Sequence, residues 1–229
     1  MKIKNVSAAF RAACPYTIPI MAAYLVLSVA YGVLMQSKGY SPIWALLISM
    51  LAYGGSMQYA AVSLFTMPYN PVNAFILSVS VNARYLFCSV GMLKKFRDFG
   101  KYRPFLFFAL SDESFATAAT TEPPDGMDGG KFYSVIFLLN YLYWASGTLL
   151  GGLIGKMLPF STAGLDFTLT AMYTAMFIDL LSDRKSRFCG IAGVICTLLA
   201  RLVFGSGNLV IPALIFISCV LIPARRIKL

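Results

Sequence analysis

The stretch PFLFFALSDESFATAATT, residues 104–121, decides how the whole chain is read. Two adjacent acids, Asp112 and Glu113, stand there between a run of phenylalanines and a run of small apolar residues. They demand explanation because of their surroundings. The chain has 229 residues, 59% hydrophobic and 12% charged; a soluble domain carries about 25% charged residues. Its mean hydropathy is +0.73, and long apolar stretches recur from residue 15 to residue 224. A chain of this length cannot wrap so much apolar surface in polar cover. The composition therefore predicts an all-α fold, a polytopic membrane helix bundle.

Working outward from SDES, eight apolar segments are legible, at about 15–36, 42–66, 71–92, 104–121, 131–155, 164–182, 188–204 and 208–224. The loops between them are short, so residues 1–229 read as a single integral membrane domain. Lys2, Lys4 and Arg11 precede the first stretch as in a signal peptide. That stretch runs from about Tyr16 to Gln36, too long for an h-region, and no small-x-small cleavage site follows. It is expected to be a retained first span that starts on the cytoplasmic side of the cell membrane.

The net charge is +10 and the isoelectric point about 9.5. The bases cluster in short loops beside apolar segments, which makes them orientation signals rather than a nucleic-acid surface. Lys94, Lys95, Arg97, Lys101 and Arg103 mark the 94–103 loop as cytoplasmic; Arg184, Lys185 and Arg187 do the same for the 183–187 loop, and Arg225, Arg226 and Lys228 for the tail. If every segment crossed, the 94–103 loop would follow three crossings and land outside. Letting 71–92 and 104–121 enter and leave on one side restores consistency with six full spans; seven spans with one broken segment is the alternative. Six to eight membrane segments, some broken or re-entrant, are expected.

There are no histidines, which removes His-based catalysis, His-containing zinc sites and haem ligation by His. Cys14, Cys88, Cys189, Cys196 and Cys219 form no C-x-x-C and are given no redox or metal role. No enzyme activity, metal or cofactor is expected.

Several features are costly in a membrane and so draw attention. YGGSMQY, residues 53–59, interrupts an apolar segment near its middle with Gly54, Gly55, Ser56 and Gln58. FGSGNLVIP, residues 204–212, carries Gly205, Gly207 and Asn208. Gly-interrupted segments in corresponding halves of a chain point to a transporter site. A tight interhelical loop is the better reading of 204–212, with Pro212 in the first turn of the next helix; for 54–58 both readings stand. Six charges fall within apolar segments: Arg84, Asp112, Glu113, Asp166, Asp179 and Arg201. Each would cost roughly 2.5–3.5 kcal/mol at the bilayer centre on insertion scales. Asp166 is placed to cap a helix, Asp179 lies about one turn from the basic 183–187 loop, and Arg201 is near enough to a helix end to snorkel. Arg84, two residues after Asn82, lies some ten residues from the nearest basic loop. Its fork suits a substrate carboxylate or a partner acid. Asp112 and Glu113 diverge by about 100° on a helix, Glu113 sharing a stripe with Thr117 and Thr120, and Ser111 is placed to cap that helix. Such acids can carry a proton across a membrane or neutralise a substrate ammonium. In the 131–155 segment, Gly147, Gly151 and Gly155 form a small-x-x-x-small stripe, widened by Ser146 and Gly152, for close helix packing within the chain or against a partner.

GGSMQYAAVSL (54–64), VNARYLF (81–87), ALSDESFA (109–116), YWASGTLLGGLIG (143–155) and LDFTLTAMYTAMFIDLL (165–181) occur in an order that resembles the AzlC/YgaZ family, the large subunits of branched-chain amino acid exporters. The resemblance covers essentially the whole chain. It implies export of leucine, isoleucine, valine and related apolar amino acids across the cytoplasmic membrane, with a small hydrophobic AzlD-type membrane subunit as partner. The family often has histidine after the arginine of its N-x-R motif; here that position is Tyr85. The residues themselves are compatible with such a substrate. Arg84 and the free amides near Gly54, Gly55 and Ser56 can meet a carboxylate, with Gln58 and Asn82 nearby as polar lining. Asp112 or Glu113 can meet an ammonium or carry a proton. A channel or uniporter for a small polar solute, or a non-transporting scaffold subunit, is the alternative expectation.

Overall fold

The computed structural model describes residues 6–66, 70–157, 167–182, 187–205 and 209–224. Ten α-helices follow one another among them, with no strand: α1 (Val6–Ser37), α2 (Pro42–Ala52), α3 (Gly55–Thr66), α4 (Pro71–Met92), α5 (Arg103–Phe108), α6 (Asp112–Thr120), α7 (Gly129–Met157), α8 (Phe167–Ser182), α9 (Arg187–Phe204) and α10 (Val210–Ala224). The chain divides into two compact units, Met1–Thr168 and Leu169–Leu229. Ala8–Ser37, Gly129–Met157 and Arg187–Phe204 are each long and apolar enough to cross a membrane.

The first unit is organised by α1 and α7. Their seam exists because glycine has no Cβ. A Cβ at Gly151 would run into the Val29 carbonyl oxygen and lie 2.7 Å from Val29 Cα, one at Gly32 would lie 2.5 Å from the Gly152 nitrogen, and one at Gly155 would lie 3.1 Å from Val33 Cα. Gly147 faces the Ser28 side chain. The glycine stripe is thus occupied by α1 of the same chain, with backbone packed against backbone. Around it lies an aromatic core in which Tyr31, Phe96, Phe132, Tyr133 and Phe137 are fully buried.

The chain between these two helices is interrupted twice. Pro42 starts α2 just after Ser41, a position where its missing N–H is no loss. Eleven residues later α2 stops at Tyr53, whose backbone is left-handed (φ 36°, ψ 45°). This is a strained conformation for a bulky residue. α3 then restarts at Gly55, which fits because its Cα packs against Trp144, where a Cβ would be only 2.9 Å from the ring. The apolar segment 42–66 is therefore two short helices with a break at Tyr53–Gly54.

The second interruption lies within 104–121. Pro104 opens the six-residue α5, which stops before Ala109; Ser111, in extended conformation, caps the nine-residue α6. At 1.5 Å per residue these helices are about 9 and 14 Å long, against a hydrocarbon core of about 30 Å. Neither alone spans it. By contrast α4 is one unbroken helix of 22 residues, about 33 Å long. Of the two segments that loop charge set aside as re-entrant, only 104–121 is interrupted.

In the second unit, α9 buries Ala192, Cys196 and Ala200, spaced four apart on one face, and packs beside α10. Arg201 is exposed in the last turn of α9. Gly205 ends that helix with φ 74° and returns its N–H to Arg201 O at 3.0 Å, the left-handed stop that glycine favours. α10 begins at Val210, which puts Pro212 in its first turn. Asn208, Asp166, the Asp179 side chain, residues 183–186 and the basic tail lie outside what is described.

Candidate functional site

The charged and polar groups of the first unit converge where α3 and α6 start. Arg84, midway along α4, reaches both helix N-termini. Its Nη1 is 2.6 Å from Asp112 Oδ2, and its Nη2 donates to Ser56 Oγ in the first turn of α3. The guanidinium also lies over the Tyr85 ring, 5.1 Å from its centre. Asp112 is the first residue of α6, where a carboxylate offsets the positive helix end as well as the arginine. Both side chains are only partly buried, 29% and 24% exposed. Asn82 lies near the break: a Cβ at Gly54 would sit 3.8 Å from Asn82 Oδ1.

Glu113 is one residue along and turned away from this pair. Its Oε2 lies 2.6 Å from Tyr24 Oη on α1. The same tyrosine oxygen is 2.7 Å from Ser111 Oγ. Ser111 Oγ accepts the Ser114 N–H at 3.1 Å, the expected cap, and lies 3.0 Å from Ser114 Oγ. Asn140 Nδ2 on α7 donates to Ser114 Oγ at 3.1 Å. Thr117 and Thr120, the rest of the polar stripe, turn their hydroxyls onto the carbonyls of Glu113 and Ala116, each at 2.8 Å.

A third network closes the α2–α3 break against α7. Trp144 Nε1 donates to Gln58 Oε1 at 2.7 Å, and Gln58 Nε2 donates to Ser49 Oγ at 3.0 Å. Ser49 and Thr148 hydroxyls are 2.9 Å apart, and Thr148 donates to Trp144 O at 3.0 Å. Gln58 is 1% exposed, with both ends of its amide engaged. It holds the break in place, apart from the charges. Trp144 in turn meets the Tyr24 ring edge-on at 5.4 Å, so the two networks share a wall.

α6 is anchored at its other end too. Lys95 Nζ donates to Ala118 O at 2.7 Å and Thr121 O at 3.2 Å and pairs with Glu122 at 2.8 Å. Burial alone would lower the pKa of this loop lysine, but its hydrogen bonds and charge interactions with Glu122 and Tyr133 outweigh that and raise it. A cation on the last carbonyls of α6 complements the helix dipole, as Asp112 does at the start.

The structure thus brings together Ser56, Arg84 and Asp112, with Gly54, Gly55 and Asn82 beside them; it gives Glu113 a separate partner and assigns Gln58 to the wall. Sequence reasoning missed Tyr24, Ser114 and Asn140. Only Asn140 left a trace, as an amide in an otherwise apolar stretch of α7.

A family model described as AzlC protein matches residues 19–158, which contain all of these groups. The chain is 39% identical to the branched-chain amino acid transport protein AzlC of Bacillus subtilis (strain 168), over 98% of this chain and 89% of that one. It is 30% identical to an uncharacterized membrane protein of Haemophilus influenzae, over 94% and 89% of the two chains. To the inner membrane protein YgaZ of Escherichia coli K12 it is 23% identical, over 82% and 80%. No solved structure matches the chain. With its long apolar helices and a family match over more than half its length, the chain is a transport-related membrane protein and belongs to the AzlC family.

Proposed function

We propose that this chain is the permease subunit of a secondary transporter that exports branched-chain apolar amino acids across the cytoplasmic membrane, coupled to protons, together with a small hydrophobic AzlD-type subunit. The chain acts as one transport domain with both termini cytoplasmic and does no enzymatic chemistry. The observation that carries the reading is the Arg84–Asp112 pair, held between the N-termini of α3 and α6 by Ser56. A zwitterion can replace this pair charge for charge. Its carboxylate takes Arg84, Ser56 Oγ and the positive N-terminal end of α3, while its ammonium takes Asp112. The broken segments suit this task, because interrupted helices at depth present such groups to a substrate. The transport name of the Bacillus relative supplies the substrate class. Glu113, which does not contact Arg84, is left to carry the proton.

The test is efflux of labelled leucine from vesicles, with and without the small subunit and with and without an imposed pH gradient. Arg84→Ala and Asp112→Asn should each abolish export while membrane insertion is kept. Normal transport by both would remove these residues from the mechanism. A flux that only dissipates the leucine gradient and ignores pH would identify a channel.

A further inference from the structure

Two details of the Glu113 network bear on its proton. Tyr24 Oη is within hydrogen-bond distance of both Glu113 Oε2 (2.6 Å) and Ser111 Oγ (2.7 Å), and as both donor and acceptor it can serve the two in either direction. At the far end of the same chain, Asn140 is fully buried, and its Oδ1 has no hydrogen-bond partner among the described residues. A buried acceptor left unsatisfied keeps the full cost of its lost hydration. Tyr24, Ser111, Ser114 and Asn140 are each at most 7% exposed, so the chain is sealed within the unit.

The geometry points to a reversible hydrogen-bond chain, Glu113–Tyr24–Ser111–Ser114–Asn140, that accommodates both protonation states of Glu113 and makes Tyr24, Ser111, Ser114 and Asn140 positioning residues for its proton. It rests on the transport reading above and assigns the proton to Glu113 rather than Asp112. With Glu113 ionised, Tyr24 donates to Oε2, Ser111 donates to Tyr24 Oη, Ser114 donates to Ser111 Oγ, and Asn140 Nδ2 donates to Ser114 Oγ. When Glu113 takes a proton on Oε2, every link reverses. Glu113 donates to Tyr24 Oη, Tyr24 to Ser111 Oγ, Ser111 to Ser114 Oγ, and Ser114 to Asn140 Oδ1 once the amide turns over. Each hydroxyl keeps one proton throughout, and only Glu113 gains one. Ser111 Oγ has lone pairs enough to hold the Ser114 N–H in both states. The orphaned amide oxygen is thus the acceptor that the protonated state uses. An amide ends the chain well because it offers a donor and an acceptor on one rotatable group.

The groups around Glu113 agree with this assignment. Asp112 is neutralised by Arg84, and among the described residues Tyr24, Tyr53, Tyr85 and Asp112 each interact electrostatically with Glu113. Tyr53, at the strained end of α2, is buried beside Tyr24 and Ser111 of the chain.

The chain is tested by infrared difference spectroscopy on the purified full chain in lipid nanodiscs, between acidic and neutral pH. The expected signal is a protonated-carboxyl band that disappears in Glu113→Gln and shifts in both Tyr24→Phe and Ser114→Ala. Ser114 is the more telling site, since its side chain meets Glu113 only through two intervening hydroxyls. Absence of a Glu113-dependent band, or an identical band in wild type and both variants, overturns the proposal. In proteoliposomes, the ratio of pH-gradient-driven to symmetric leucine exchange flux should fall by about fivefold or more in Tyr24→Phe; an unchanged ratio overturns its role in coupling. A band that behaves as expected without any leucine flux would support the chain and defeat the transport reading instead.

Discussion

The α1–α7 seam and the cluster at the starts of α3 and α6 are built on opposite principles. In the seam, side chains are removed until backbones touch, and Gly32, Gly147 and Gly151 leave no room for a methyl group. In the cluster, helices are interrupted so that helix ends, charges and hydroxyls meet at one place. The seam has one way to fit. On the readings proposed above, the cluster has partners that can be exchanged: an ion pair that a zwitterion enters, and hydroxyls that reverse. A rigid pair of long helices carries a set of short, broken ones, and the polar groups belong to the short ones or face them.

The largest effect should come from breaking the rigid side. Gly151→Leu drives a side chain into the Val29 backbone, which cannot move aside as a side chain would. Its penalty should reach or exceed the roughly 1–3 kcal/mol of ordinary overpacking. Thermal melting in detergent should show loss of the folded protein, and a melting point near wild type would mean that the seam is not backbone-tight.

The next contrast separates structure from function within the cluster. Arg84→Ala leaves Asp112 without its cation. The loss should fall below the roughly 3–5 kcal/mol of a fully buried pair, because the two side chains keep 29% and 24% exposure. The double variant Arg84→Gln/Asp112→Asn should recover most of that stability, since no charge is left unpaired, and yet not recover leucine export. Export by the double variant would make the pair a structural element only.

Gln58→Leu probes the wall between the two regions. It strips Trp144 Nε1 of its acceptor and Ser49 of a donor, for an expected loss of about 1–3 kcal/mol. Trp144 fluorescence should report a changed environment; an unperturbed spectrum and melting point would show that the break holds without this amide.

The smallest effect is expected at the far end of α6. Lys95→Met should cost about 1 kcal/mol, since the cation complements the helix end while its partner Glu122 is 79% exposed. The pH dependence has a definite sign. The folded-state pKa of Lys95 is raised, so its stabilisation is complete below the ordinary lysine value of about 10.4 and is lost as pH rises through the raised value. The melting-point gap between wild type and variant should therefore stay constant through neutral pH and close only in strong alkali. A gap that closes near pH 8 would contradict it.

Much of this was legible in the chain. Ser111 as a cap, the divergence of Asp112 and Glu113, the glycine stripe, and Gly205 with Pro212 as a loop between helices all follow from local rules of spacing and conformation. The partner of each acid was not legible. Adjacent residues on a helix point about 100° apart, which says that they differ but not which neighbour each meets. Gln58 looked like a site residue because it lies beside the glycines, and only the approach of Trp144 and Ser49 showed its amide to be engaged. Tyr24 gave no signal at all, as one aromatic among many in an apolar helix.

The amino-acid sequence by itself determined the class of this protein and most of its helices, and marked Gly54–Gly55 and Ser111 as places where a helix could break. These depend on composition, period and the local chemistry of glycine, proline and serine. Tertiary structure alone decided that Arg84 meets Asp112, that Glu113 meets Tyr24, and that a hydroxyl chain runs on to Asn140. Arg84 and Asp112 stand 28 residues apart in the chain, Tyr24 and Glu113 89, and Ser114 and Asn140 26. These contacts depend on how α1, α4, α6 and α7 pack together, which no local rule sets.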